Sequence, residues 1–351
     1  MTIETLGWDI GGAHLKVVAL DTEGNIVAVM QRPCPLWQGL EKLSAAFDEL
    51  ARQIPLCDAR AQAVTMTGEL VDLFPSREAG VRTLIEAART YCDARLLIFA
   101  GPEGLLTEDE VRAEHLRLIA SANWLASGLW LAQHLEQGLL IDVGSTTTDL
   151  LPFAAGKVLT RGYTDHERLR YDELVYTGIV RTPLSAIADR IPFDGEWIGL
   201  MNEHFATSAD VYRLCGDLPE HADQFPAADG GIKDTLGSAR RLARMLGRDL
   251  ESAPIEAWVR LARSFRERQM ARIAAAVERQ LSRGILGLRP SLIGAGAGRY
   301  LVEAIAQRLD LDYIDLLDVF PVSSGNSDFS VADCMPAAAV AHLARRRLWS
   351  D

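Results

Sequence analysis

The chain has 351 residues, which is enough for two domains of ordinary size. Its apolar fraction of 48% and charged fraction of 24% are typical of a soluble globular protein. The formal net charge of −12 argues against nucleic acid as the main partner, because binding a phosphate backbone needs a basic surface. A small phosphorylated ligand stays compatible with this charge, since N–H groups and a metal ion can bind one inside an acidic protein.

The cysteines and the N-terminal sequence indicate where the protein works. Five cysteines lie far apart, and their odd number favours free thiols in a reducing compartment. A strand is predicted within the first ten residues, so we expect no signal peptide. The most apolar stretch, 119–141, is interrupted by polar residues and is unsuited to span a bilayer. We therefore expect a cytoplasmic protein without a membrane partner, and the sequence leaves open whether it forms a homodimer.

The first third of the chain predicts a strand meander followed by alternating strands and helices. Glycine-containing turns separate short apolar runs, and later apolar residues recur at helical spacing. The predicted elements are strands at 6–10, 15–21, 26–30, 63–66 and 96–99, and helices at 40–50, 81–91 and 123–135.

The same order of elements begins again at Gly138. The segments WDIGGAHLKVVAL and IDVGSTTTDLLPF are variants of one phrase about 130 residues apart, which indicates a duplicated unit. The later predictions are strands at 139–143, 148–153, 157–160 and 291–293, and helices at 234–246, 255–281, 299–309 and 335–347. We predict an N-terminal lobe at 1–137 and a C-terminal lobe at 138–351, the latter with an inserted loop-rich and helical segment at about 162–285.

The first glycine-rich turn joins the first two predicted strands. Gly11 and Gly12 let the backbone turn sharply and present N–H groups to an anion, with His14 and Lys16 close behind. Asp9 ends the first strand and can hold Mg²⁺ through water, because this ion keeps much of its hydration. An ordinary Gly-Gly hairpin is the alternative. His14 can equally be a surface-turn histidine, and Lys16 can be a strand residue that points to solvent.

The second turn repeats this chemistry with hydroxyl groups. Its residues are Gly144, Ser145, Thr146 and Thr147. Asp142 and Asp149 bracket the turn from adjacent strands, and two buried carboxylates there argue for a bound cation because unpaired buried charges are costly. A solvated polar turn is the alternative.

The third glycine-rich segment ends a predicted strand and opens a helix. Its glycines are Gly294, Gly296 and Gly298, and such a run lets a ribose or phosphate approach the backbone. A Rossmann dinucleotide site is disfavoured because the motif lies late in the chain and follows no opening βαβ unit.

In this order, the three motifs resemble the phosphate-one, phosphate-two and adenosine signatures of the superfamily that contains sugar kinases, heat-shock chaperones and actin. The resemblance implies a duplicated actin-like (ribonuclease H-like) α/β fold. Each lobe would be built on a five-stranded sheet, with a ligand cleft between the two lobes. It also implies a Mg²⁺ cofactor, and it leaves open whether the ligand is ATP, another nucleotide or an organic diphosphate.

A narrower resemblance covers nearly the whole chain. It rests on the segments 67–70, 122–124, 142–149, 173–178 and 181–182. These are similar to hydantoinase/oxoprolinase-related proteins of tetrahydromethanopterin-linked one-carbon metabolism, and among them to the condensing enzymes of methanofuran biosynthesis. The resemblance implies a transferase that joins an aminomethylfuran diphosphate to the phenol of γ-glutamyltyramine and releases diphosphate. An ATP-dependent small-molecule kinase, an oxoprolinase-like or hydantoinase-like hydrolase and a non-catalytic nucleotide-gated scaffold are the alternatives.

The implied reaction assigns roles to individual residues. The three aspartates would hold Mg²⁺, and the glycine-rich turns would bind the diphosphate. The attacking phenol must lose a proton, and Glu69 and Asp165 are the candidate bases, with structural roles open for both. The candidate substrate-binding residues are Asn123, Arg168, Tyr176 and Arg181. The two arginines can bind the glutamyl carboxylate, and surface ion pairs are the alternative for them.

Overall fold

The computed structural model describes residues 3–54, 59–92, 95–320 and 329–348. Within these ranges, Cys34, Cys92, Cys215 and Cys334 are free thiols, and Cys57 lies outside the described residues. In the same part of the chain, no helix is long and apolar enough to cross a membrane.

The elements follow the predicted order. The first part of the chain forms β1 (Thr5–Ile10), β2 (His14–Leu20), β3 (Ile26–Pro33), α1 (Glu41–Ala51), β4 (Ala61–Met66), α2 (Arg77–Tyr91), β5 (Arg95–Phe99), β6 (Leu105–Thr107), α3 (Leu116–Ile119) and α4 (Asn123–Ala132). It is followed by β7 (Gln137–Val143), β8 (Thr148–Ala154), β9 (Lys157–Val158), α5 (Asp165–Arg170), β10 (Leu174–Val175), β11 (Arg190–Phe193), β12 (Glu196–Gly199), α6 (Ser208–Cys215), α7 (Thr235–Met245), α8 (Ile255–Leu281), β13 (Leu292–Ala295), α9 (Arg299–Leu309), β14 (Tyr313–Asp315) and α10 (Met335–Leu348).

One compact unit combines Met1–Gly138, Leu151–Asp165 and Asp315–Asp351. Its sheet has the order β3-β2-β1-β4-β5-β6, in which β1 pairs antiparallel with β2 and parallel with β4. Successive residues of β1 point to opposite faces of this sheet. The Trp8 ring packs against the Phe47 ring of α1, with 4.9 Å between the ring centroids, whereas Gly7 faces α10. The unit therefore has helices on both faces of its sheet.

The other unit combines Leu139–Leu150 and His166–Ile314. The second sheet has the order β10-β8-β7-β13-β14, with β7 and β13 parallel, and β9 pairs with the end of β8. Apolar residues of α8 and α9 share one hydrophobic core with β7. The inserted segment has a hydrophobic core of its own, built from β11, α6, α7 and the first half of α8. The stretch that we expected to be loop-rich and helical therefore contains a small packed module.

The two sheets repeat one arrangement, in which β1 corresponds to β7 and β4 to β13. Each of these central strands pairs parallel with a strand that comes later in the chain. The predicted duplicated α/β architecture is confirmed. The first sheet differs from the expected five strands because β6 adds an antiparallel edge strand.

The C-terminal helix departs from the predicted boundary. We expected the second lobe to run from 138 to 351, but α10 packs on β1 and β4 of the first sheet. Gly7 permits this close packing, since a Cβ there would lie 2.7 Å from the backbone nitrogen of Ala341. The helix was recognisable from its periodicity, but no local signal in the sequence says which sheet it covers.

Candidate active site

The first glycine-rich turn closes the β1–β2 hairpin. The N–H of Gly11 donates to the carbonyl of His14 at 2.9 Å. The carbonyls of Gly12 and Ala13 accept hydrogen bonds at 3.1 and 2.7 Å from the segment that follows β3. Within the described ranges, no acceptor faces the N–H groups of Gly12 and Ala13. These two donors are therefore available to an anion.

The two basic side chains of this hairpin are held by the protein. His14 is only 7% exposed, so the alternative of a surface-turn histidine is wrong. Lys16 is partly buried, and its Nζ donates to the carbonyl of Asp333 at 2.9 Å, so its side chain does not simply extend into solvent. Phosphate binding by either residue stays a prediction.

The second turn is closed by a backbone hydrogen bond like that of the first turn, and a neighbouring segment of backbone packs against it. The N–H of Gly144 donates to the carbonyl of Thr147 at 2.9 Å. The carbonyls of Gly144 and Ser145 accept three hydrogen bonds of 2.9 to 3.1 Å from the backbone at 179–181. Gly178 lies so close that a Cβ there would be 2.5 Å from the backbone nitrogen of Thr146. The segment at 173–182 therefore fixes the shape of this turn.

The third glycine-rich segment packs against the end of β7. Gly298 donates its N–H to the carbonyl of Val143 at 2.9 Å. Gly296 has φ +78°, and a Cβ there would lie 2.5 Å from Oδ1 of Asp142. A Cβ on Gly294 would lie 2.7 Å from the ring of Tyr313. The structure thus brings the second and third motifs together, and only glycine fits beside the Asp142 carboxylate.

Two predicted site residues form an ion pair in which Arg168 is buried and Asp149 is partly exposed. Nη2 of Arg168 donates to Oδ1 of Asp149 at 2.8 Å and to the carbonyl of Glu173 at 2.9 Å. Arg181 is partly buried, and burial lowers its pKa, while Tyr176 is exposed. A substrate carboxylate would have to compete with Asp149 for Arg168. The substrate-binding roles of these residues stay predictions.

Both candidate bases meet at one arginine in the first unit. Nη2 of Arg77 donates to Oε1 of Glu69 at 3.0 Å and to Oδ2 of Asp165 at 2.7 Å. The same nitrogen contacts Oγ of Ser121, and that hydroxyl donates to Oε1 of Glu69 at 2.8 Å. Glu69 and Asp165 are 96 positions apart in the chain, and Arg77 joins them into one charged cluster.

Local backbone features hold this cluster in place. Glu69 lies in the short 3₁₀ turn Gly68–Leu70 directly after β4, and α2 approaches it at Gly80, where a Cβ would be 2.8 Å from the Glu69 carbonyl. Ser121 has a left-handed φ of 50°, which is uncommon for a non-glycine residue. Asp165 begins α5 just after Tyr163, whose hydroxyl donates to the carbonyl of Leu118.

Burial and charge act in opposite directions in the cluster. Burial raises the pKa of Glu69, and the hydrogen bond from Ser121 and the charge of Arg77 oppose this without cancelling it. Burial lowers the pKa of Arg77, but the charges of Asp165 and Glu69 outweigh it, so this pKa is raised. Arg77 is therefore a permanent cation beside two carboxyl groups of different exposure.

The first glycine-rich turn adjoins this cluster. The N–H of Thr67 donates to the carbonyl of Ile10 at 3.0 Å, which ties the start of the Glu69 turn to the end of β1. Nδ2 of Asn123 reaches Oδ1 of Asp9 at 3.4 Å, two residues after Ser121. We call Asp9, Glu69, Arg77, Ser121, Asn123 and Asp165 the strand-end cluster. It lies where β1 and β4 end, the edge at which open α/β sheets bind ligands.

Sequence reasoning missed two members of this cluster, Arg77 and Ser121. Arg77 follows Ser76, whose side chain caps α2 by accepting from the N–H of Ala79 at 3.2 Å. That cap was a readable signal for a residue fixed at a helix start. Ser121 carried no such signal, because its conformation and its contact with Glu69 depend on the tertiary structure.

The three predicted metal-binding aspartates suit a hydrated magnesium ion better than a metal that is held directly by several side chains. Among the described residues, no group of three or more acidic, histidine or cysteine side chains is placed to hold a metal. Mg²⁺ in phosphate sites needs only one or two carboxylates and keeps its waters. Asp9 and Asp142 each stand at a strand end, and no side chain at Gly296 shields Asp142. Asp149 already accepts from Arg168. The metal assignment stays a prediction.

Comparison with known proteins gives matches over most of the chain. The family model described as hydantoinase/oxoprolinase matches residues 60–334. A Methanocaldococcus jannaschii protein described as (4-{4-[2-(gamma-L-glutamylamino)ethyl]phenoxymethyl}furan-2-yl)methanamine synthase is 31% identical over 252 residues, which is 72% of this chain and 74% of that protein. A Methanococcus vannielii protein with the same description is 31% identical over 134 residues, or 38% of this chain and 60% of that protein.

A solved structure supports the fold class independently. The nucleotide-free structure of acetone carboxylase superposes with a TM-score of 0.56 at 11% identity, and covers 96% of this chain and 70% of that chain. At this identity the likeness concerns the fold alone. Together with the repeated strand order, it confirms the predicted actin-like α/β fold.

Proposed function

Because the chain belongs to the hydantoinase/oxoprolinase family, we propose that it is a transferase of methanofuran-type cofactor biosynthesis. It joins an aminomethylfuran diphosphate to the phenol of γ-glutamyltyramine and releases diphosphate. The description of the Methanocaldococcus jannaschii relative contains a phenoxymethyl group on a furan, which is the ether that this condensation forms.

The observation that carries the proposal is the strand-end cluster beside the first glycine-rich turn. The phenol needs a base, and Glu69 and Asp165 flank the Arg77 cation at hydrogen-bond distance. The neighbouring N–H groups of Gly12 and Ala13 suit the oxygens of a departing diphosphate. One region of the first unit therefore offers a base, a cation and an anion cradle.

The leaving group needs its charge neutralised. When bound, Mg²⁺ would supply that charge, and Asp9 is the strand-end carboxylate of the first unit that would hold the hydrated ion, with Asp142 the equivalent carboxylate of the second unit. Each glycine-rich turn offers N–H groups to phosphate oxygens, and in the second unit the hydroxyls of Ser145, Thr146 and Thr147 add further donors. Asp149, the third predicted metal ligand, would have to bind the ion while it also accepts a hydrogen bond from Arg168.

The amino-acid end of the second substrate needs polar partners of its own. Arg181, Tyr176 and Asn123 are our proposed contacts for it. Arg181 suits a carboxylate because a guanidinium can bind both carboxylate oxygens through two parallel hydrogen bonds.

An ATP-dependent kinase or hydrolase shares the fold and the phosphate chemistry, so the test must determine which phosphate-containing products are formed. Protein, Mg²⁺, the furan diphosphate and γ-glutamyltyramine are incubated without ATP, and the products are identified by mass. We expect free diphosphate and the aryl ether in equal amounts, and no product from an analogue that lacks the phenolic hydroxyl. ATP turnover that depends on either substrate, without ether, would reject the transferase.

A further inference from the structure

We propose that Asp165 is the base that accepts the phenol proton and that Arg77 stabilises the phenolate formed, while Glu69 and Ser121 are positioning residues that hold Arg77. This assignment rests on the proposed function and divides the strand-end cluster into substrate-facing and supporting groups.

The side chains of Glu69 and Asp165 differ in their exposure to solvent. The side chain of Glu69 is 0% exposed, whereas those of Asp165 and Arg77 are 22% and 34% exposed. A phenol can therefore reach Asp165 and Arg77 but not Glu69. Oε1 of Glu69 is used twice, by Arg77 and by Ser121, and Oε2 is buried without a hydrogen-bond partner in the described part of the chain.

The hydrogen bonds of Arg77 leave donors for a ligand. All three of its contacts, with Glu69, Ser121 and Asp165, use Nη2. Nη1 donates to no residue that the structure describes, and the side chain is partly exposed. A guanidinium carries donors on both terminal nitrogens, so a substrate oxygen can bind Nη1 while Glu69 still fixes Nη2.

One negative charge stays next to Arg77 during the proposed proton transfer. The phenolic O–H bond breaks and its proton passes to the Asp165 carboxylate, so the negative charge moves to the phenolate oxygen. That oxygen forms a bond to the furanylmethyl carbon as the bond from this carbon to the diphosphate oxygen breaks, and the electron pair leaves with the diphosphate. The partly exposed Asp165 then releases its proton to water. Arg77 has an anionic partner until the new bond forms, which is preorganised electrostatic stabilisation.

The test varies the acidity of the nucleophile. Ether formation is measured for the wild type, Asp165→Asn and Arg77→Lys with γ-glutamyltyramine and with a ring-fluorinated analogue that is already ionised at the assay pH. Loss of a general base should lower kcat for Asp165→Asn by about 100-fold with the parent phenol and by less than about tenfold with the fluorinated one. Arg77→Lys should lower kcat with both phenols, because an ionised nucleophile still needs the aligned cation.

Controls keep folding and function apart. Arg89→Lys changes an exposed arginine of the same helix, 3.0 Å from Glu108, and should leave kcat unchanged. Asp165→Glu keeps the carboxylate and should retain more activity than Asp165→Asn, and Asp165→Ala replaces Asp165→Asn if thermal melting shows that the latter misfolds. An equal deficit of Asp165→Asn with both phenols, or wild-type kcat in either variant, would overturn the assignment. Absence of ether with the wild type would instead overturn the proposed function itself.

Discussion

Two arginines illustrate how exposure decides what an ion pair can do. Arg77 contacts Asp165 at 2.7 Å and Arg168 contacts Asp149 at 2.8 Å, so the distances are alike. The Arg77 side chain is 34% exposed, whereas that of Arg168 is 2% exposed. An exposed cation can exchange its partner for a ligand at little cost, but a buried one cannot leave its carboxylate without a large desolvation penalty. We therefore expect Arg168 to hold the second hairpin, and its binding of a substrate carboxylate stays a prediction.

The Asp149–Arg168 pair yields a stability prediction at the same scale. Asp149→Asn removes the carboxylate that the buried Arg168 guanidinium contacts at 2.8 Å, so the free energy of unfolding should fall by about 3 kcal/mol. Asp172→Asn is the matched control, because Asp172 pairs with Arg279 at 2.5 Å with both side chains more than 40% exposed. The control should lose less than about 1 kcal/mol. Urea unfolding of both variants measures the difference. Small losses of similar size in both variants would show that the Asp149–Arg168 pair does not stabilise the fold, and would leave Asp149 with a ligand-binding role alone.

At the scale of elements, both hairpin turns depend on a neighbouring segment. The carbonyls of the first turn accept from the segment after β3, and those of the second accept from 179–181. Engaging the carbonyls leaves the N–H groups of a turn to face a ligand. The residues that shape an anion site therefore include some outside its motif, and Gly178 is the clearest example.

Gly178 and Gly144 should differ in how strongly they respond to a single methyl group. A Cβ on Gly178 would lie 2.5 Å from backbone atoms of Ser145 and Thr146, whereas one on Gly144 would lie 3.5 Å from the Thr147 carbonyl, its one close neighbour among the described residues. Gly178→Ala should displace the turn and weaken binding of Mg²⁺-diphosphate by about tenfold or more, and Gly144→Ala should change it by less than about threefold. Titration calorimetry tests this. Equal effects of the two changes would mean that the bracing segment does not shape the turn.

For the whole molecule, the repeated pattern of turns and strands predicted the duplication, and the resemblance of the three glycine-rich motifs implied the actin-like fold. Gly11 and Gly144 could be aligned from the sequence because hairpin turns are local. The sequence also selected Glu69 and Asp165, but their common partner Arg77 was missed, since that contact joins positions 88 residues apart. The helix α10 was predicted, yet its place on the first sheet depends on close packing at Gly7. Long-range packing, rather than element type, marks the limit of the sequence prediction.

The attachment of α10 to the first unit includes an aromatic group in which Trp130 and Phe320 are buried, His342 is partly buried and His134 is exposed. The rings of His134 and Phe320 each stack on Trp130 at 3.8 Å, and His342 of α10 lies 5.7 Å from the Trp130 ring. Burial lowers the pKa of His342 to about 4, and the nearby charges of His134 and Arg345 act in the same direction. The folded protein therefore keeps His342 neutral under conditions in which an unfolded chain would protonate it.

This difference predicts a loss of stability in mild acid. Between pH 6.5, the ordinary value for histidine, and about pH 4, the unfolded chain binds a proton at His342 that the folded chain does not. The free energy of unfolding should fall by about 3 kcal/mol across this window from His342 alone, since each pKa unit corresponds to about 1.4 kcal/mol. Above the window the contribution is fully present, and below it the loss levels off. His342→Gln cannot titrate, so its urea-unfolding stability should depend less steeply on pH than that of the wild type between pH 4 and 6.5. Parallel curves for the two proteins would show that His342 is protonated in the folded state and would contradict the prediction.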